Sequence, residues 1–106
     1  IRLVTPRGRV STFAGNGLQG LIDGIGQKTS FNYPLALAAD IEGNIYVADK
    51  YNNAIRKITP GSEVTTIAGN NGQGMQDGAL DVAQFDGPRG IAIDKEGSIY
   101  VSDFQT

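Results

Sequence analysis

Displaced by 54 residues, the sequence lies on itself without a gap, and 23 of the 52 overlapping positions are identical. A repeat this regular makes each unit a structural module that stacks on its neighbour, so the fold is assembled from copies. Ile1-Arg2 recurs as Ile55-Arg56, Thr5-Pro6 as Thr59-Pro60, and Ala14-Gly15-Asn16 as Ala68-Gly69-Asn70. Gln19-Gly20 recurs as Gln73-Gly74, Asp23-Gly24 as Asp77-Gly78, and Phe31 and Pro34 as Phe85 and Pro88. Glu42-Gly43 and Ile45-Tyr46-Val47 return as Glu96-Gly97 and Ile99-Tyr100-Val101. Glycine, proline and aspartate set turns, and the recurring apolar positions set inward faces.

Each unit reads as four short strands. Leu35 to Asp40 is a run of small apolar residues, which predicts an inner strand buried on every side. A turn over Ile41 to Asn44 leads to the β-branched and aromatic stretch Ile45 to Asp49, and the two form a hairpin. Ile55 to Thr59 and Val64 to Ala68 supply a third and fourth strand around Pro60-Gly61-Ser62. A four-stranded antiparallel unit cannot cover both its faces alone, and radial repetition solves this. The expected fold is therefore all-β, made of β-propeller blades of four antiparallel strands; a sandwich of two sheets would leave the strict repeat unexplained. The expected organisation is a half blade at 1–15, a full blade at 34–69 and a half blade at 88–103, joined by long loops at 16–33 and 70–87. A single helical turn over Leu80 to Gln84 is the one helical element anticipated.

Composition removes several chemistries. Neither Cys nor His occurs, so disulfides, thiol nucleophiles, imidazole bases and Cys/His zinc sites are excluded. Nine Lys and Arg against 11 Asp and Glu give a net charge of -2, which offers no footprint for a nucleic acid backbone. No apolar run approaches the roughly 20 residues that cross a bilayer as a helix, so membrane insertion of that kind is not expected.

The run Asn44 to Ile58, preceded by Pro34 and Asp40-Ile41-Glu42-Gly43, resembles the NHL repeat, whose signature runs Pro, inner strand, Asp-x-x-Gly-Asn, Tyr-Val-x-Asp, then Asn and Ile-Arg-Lys. A second copy runs from Pro88 to Asp103, and the Gly/Asp-rich connections are similar to those of bacterial members. The resemblance implies a propeller, typically six-bladed, and a noncatalytic module that binds protein or carbohydrate. It also favours an extracytoplasmic or cell-surface setting in a bacterium. The alternative it allows is part of a propeller enzyme of the lyase or lactonase type with a metal in the central channel. The absence of His, and of any carboxylate in the inner strands before Asp40 and Asp94, argues against that alternative. No cofactor and no metal site are expected.

In an up-and-down meander the long connections gather at one end of the blade, so ligand binding is expected there. Among the polar and aromatic residues of that face, Asn32, Lys50, Tyr51, Asn52, Asn53, Asp86 and Arg89 are the candidate ligand-binding set, most of them residues that the repeat does not require. Asp23 and Asp77 recur with glycine and read as turn formers. Asp49 and Arg56 read as a structural ion pair across a hairpin. Asp40-x-Glu42-x-Asn44 has the odd spacing of a calcium loop but reads better as a turn. The half blades at either end leave two partners open: further copies of the chain joined edge to edge, three of them for six blades, or the rest of a longer propeller.

Overall fold

A computed structural model describes residues 1–69, 74, 77–79 and 83–104. In chain order the strands are β1 (Arg2–Val4), β2 (Val10–Thr12), β3 (Gly24–Ile25), β4 (Pro34–Ala39), β5 (Ile45–Asp49), β6 (Ala54–Ile58), β7 (Glu63–Ala68), β8 (Pro88–Ile93) and β9 (Ile99–Asp103). Single 3-10 turns occupy Gly26–Lys28 and Lys50–Asn52. The chain is all-β and its sheets are antiparallel propeller blades: β1-β2, then β3-β7-β6-β5-β4, then β8-β9. Of the helical turn expected over Leu80 to Gln84, residues 80–82 lie outside the described residues, as do Asn70 and Gln73.

The hairpin between β4 and β5 shows how short-range chemistry sets register. The Asp40 carboxylate accepts the backbone N–H of Glu42 and of Asn44, both at 2.9 Å, and the Asn44 amide at 3.0 Å. Gly43 takes φ +87, a conformation that a side chain would oppose. Leu37 then pairs with Val47, and Val47 with Arg56. Asp94, Glu96, Gly97 and Ser98 rebuild the same turn between β8 and β9.

The two faces of the central sheet are covered by its neighbours. Val47, Ile58 and Val64 pack with Ala14 and Phe31, joined by Ile1, Phe13 and Ile45. Ala48, Ile55 and Ala68 pack on the other face with Phe85, Ile91 and Val101. Burial is therefore deepest in the middle of the blade, and this corrects the expectation for the inner strand. Leu35 and Leu37 of β4 are 43% and 51% exposed, whereas Val47 and Ala48 of β5 are fully buried. β4 is a sheet edge with a partner on one side only, while β5 is hydrogen-bonded on both sides and sheltered on both faces.

The loop ahead of the blade adds something that the repeat pattern did not announce. β3 pairs antiparallel with β7, Gly24 opposite Val64 and Ile25 opposite Glu63, so the outer edge of the blade is closed by a fifth strand.

Candidate functional site

Arg56 organises the end of the blade where the long connections meet. It projects from β6 and is fully buried, with its guanidinium over the Phe31 ring at 4.7 Å from the centroid. Nη1 donates to Asp49 Oδ2 at 2.9 Å and to the Ser30 carbonyl at 2.8 Å. Nη2 donates to Asp23 Oδ1 at 2.8 Å and to the Ile22 carbonyl at 3.1 Å. Asp23 also accepts the backbone N–H and hydroxyl of Thr66 on β7. Asp23 is thus a cross-sheet clamp, not the local turn former its Gly neighbour suggested. Asp49, itself fully buried, accepts the Asn32 backbone N–H at 2.8 Å and the Asn52 amide at 2.6 Å. The loop over residues 16–33 is consequently tied down as part of the core, with Thr29, Ser30 and Phe31 buried.

With that loop immobilised, the open space lies next to it, between the central blade and the one that follows. A cleft of about 330 Å³ is lined by Lys50, Tyr51, Asn53, Asp86, Gly87 and Phe104. Lys50 and Tyr51 are held there by the 3-10 turn that joins β5 to β6, whose amides donate to the Tyr33 and Asn32 carbonyls at 3.2 and 3.0 Å. Lys50 Nζ sits 5.1 Å from the Tyr51 ring centroid, 5.4 Å from that of Tyr33 and 5.9 Å from that of Phe104. The two tyrosine rings lean together at 5.0 Å and 50°. The Arg89 guanidinium covers the Phe104 ring at 4.1 Å. All three rings are about half exposed. Aromatic faces beside cationic and amide groups can stack on a ring or planar group and fix its polar substituents.

The candidate residues divide. Lys50, Tyr51, Asn53 and Asp86 meet in the cleft, and Arg89 lies against the Phe104 ring without itself lining it. Asn53 serves partly as framework, since its side-chain oxygen accepts the Gly87 N–H at 2.9 Å. Asn52 turns inward, bonding Asp49 and the Gly20 carbonyl, and does not line the cleft. Asn32 acts through its backbone, and its Oδ1 is buried without a hydrogen-bond partner among the described residues. Tyr33 and Phe104 were missed. Both were marked in the sequence: Tyr33 replaces the glycine at Gly87, and Phe104 replaces the lysine at Lys50. Gly87 leaves the cleft its room, because a Cβ there would stand 3.3 Å from Phe104 Cβ.

A larger cleft of about 410 Å³ lies between β1-β2 and the central sheet, lined by Ile1, Leu3, Phe13, Leu37 and Ile45 among others. Its lining is nearly all apolar, without convergent polar groups, and belongs to the packing of blade on blade.

Residues 31–58 match the family model of the NHL repeat. The chain is 34% identical over 88 residues to NHL repeat-containing protein 2 of Bos taurus, an alignment that covers 79% of this chain. It spans 8% and 12% of the length of curated relatives that it matches. Its fold is similar to a Bacteroides thetaiotaomicron VPI-5482 structural genomics protein of unknown function, with a TM-score of 0.86 and 28% identity over 96% of this chain and 26% of that one. It is also similar to an auxiliary nutrient binding protein from Bacteroides ovatus ATCC 8483, with a TM-score of 0.79 and 26% identity over 96% of this chain and 29% of that one. With one repeat matched outright and its residues returning 54 positions later, the chain belongs to the NHL-repeat β-propeller family.

Proposed function

We propose that this chain is part of a noncatalytic binding propeller whose ligand is a carbohydrate, held between consecutive blades at the end where the long connections gather. The observation that carries this reading is the cleft with Tyr51, Tyr33 and Phe104 around one ammonium group. A pyranose presents a C–H face to an aromatic ring and hydroxyls to amides and carboxylates, which is the complement of this lining. A volume of about 330 Å³ suits one or two sugar rings. The similarity to an auxiliary nutrient binding protein supports a binding role.

Titration calorimetry against disaccharides tests the reading. Tyr51→Ala is expected to weaken binding by about tenfold or more, equivalent to about 1.4 kcal/mol, without moving the thermal midpoint. Unchanged affinity in that variant refutes it.

A further inference from the structure

Resting on that reading, we propose that the cleft selects acidic sugars: the bound residue is a carboxylate-bearing pyranose, a uronic acid, whose carboxylate is met by Lys50 and Arg89. The two cations share one aromatic ring, that of Phe104. Arg56 spends its charge on Asp23 and Asp49. Lys50 and Arg89 have no carboxylate oxygen within 4.0 Å among the described residues, and each is instead held by aromatic rings. A ring face steadies a cation without occupying its N–H donors, so both groups keep hydrogen-bonding capacity for a ligand anion. The surrounding acids do not cancel them. Asp49 and Asp103 accept the backbone N–H groups of Asn32 and Asp86 and do not line the cleft, and Asp86 is the single carboxylate in the lining. Lys50 balances it there, and Arg89, against the Phe104 ring, brings a second cation beside the cleft. The planar guanidinium matches a carboxylate in a paired geometry, while Lys50 acts as a point charge beside the stacking rings.

Binding of digalacturonic acid, its neutral counterpart galactobiose, a sulfated disaccharide and tetraglutamate to the full chain separates the outcomes. Digalacturonic acid is expected to bind at least tenfold tighter than galactobiose at low salt and at least threefold tighter than the sulfated disaccharide. The acidic preference should shrink as ionic strength rises. Lys50→Gln and Arg89→Gln should each weaken digalacturonic acid binding at least threefold, whereas Lys57→Gln, which removes an equal charge from a residue outside the cleft, should not. Equal affinity for galactobiose overturns the acidic selection and leaves the carbohydrate reading intact. Tighter binding of the sulfated sugar overturns the carboxylate assignment. Preference for tetraglutamate, or binding of none of the four, overturns both readings.

Discussion

Replacing Arg56 by methionine keeps most of the side-chain volume and removes the charge. Four hydrogen bonds go with it, two to carboxylates and two to carbonyls, at 2.8 to 3.1 Å. Removing one partner of a buried ion pair costs about 3 to 5 kcal/mol because the other charge is left uncompensated. Asp49 retains two donors, the Asn32 N–H and the Asn52 amide, which moves the expectation to the lower end, about 3 kcal/mol. Against a typical total of about 5 to 15 kcal/mol this is severe but measurable. Urea unfolding followed by circular dichroism reads it, and Arg56→Met/Asp49→Asn supplies the control. Neutralising Asp49 removes the stranded charge, so the double variant should lose less than the sum of the singles. Hydrogen exchange should show the amides of Gly20 and Ser30, which bond within the 16–33 loop, opening before those of β5. A loss below about 1 kcal/mol in Arg56→Met, or strict additivity in the double variant, would refute the clamp.

Val47→Asp should leave no cooperative thermal transition, since a fully buried strand position would hold a bare charge, whereas Leu37→Asp, half exposed, should fold with a lowered midpoint. Gly69→Ala should destabilise by about 2 to 4 kcal/mol in denaturant titration, because its Cβ would collide with the Asn53 carbonyl and Phe85 on top of the strain of a positive φ, whereas Gly17→Ala, with a similar positive φ and open space, should cost about 1 kcal/mol. The Asn44 amide, ahead of the turn's backbone N–H groups, holds the Asp40 carboxyl below its ordinary 3.8. Its folded pKa is depressed, so its contribution to stability is present above 3.8 and fades as pH falls through the folded value; Asp40→Asn should flatten that acid limb in midpoint-against-pH curves. Burial, followed by the bond to Asp40, raises the Tyr46 phenol above 10.0, so its contribution is present below pH 10 and fades as pH rises through the folded value; Tyr46→Phe should flatten the alkaline limb.

Strands β4 to β7 were legible because β4 is a run of small apolar residues, β5 is β-branched and aromatic, and their turns carry Gly43 and Gly61, all short-range signals. β3 was not. Two residues hold no periodicity, and what seats them is a contact between Asp23 and Arg56, 33 positions apart. The same limit divides the candidate site. Lys50 and Tyr51 stood out because the other copy of the repeat lacks them, while Asn52, equally polar and adjacent, was indistinguishable from them until the 3-10 turn sent it toward Asp49. Tyr33 falls at the end of the 16–33 loop; its φ of +64, which swings the ring over Lys50, has no sequence marker apart from the glycine at the matching position.

The strand that the 16–33 loop lends to the blade decides where this protein can change its specificity. Length variation is ordinarily tolerated in the longest connection, yet here any insertion near Asp23 would pull β3 from β7 and strand a buried guanidinium. The positions free to vary are Lys50 and Tyr51 in the short connection, since Asn52 bonds Asp49, Asn53 holds the Gly87 N–H and Gly87 keeps the cleft open. A library built for new ligands should randomise those few positions and hold the long loop constant, and the natural divergence of such repeats should be concentrated in the same place.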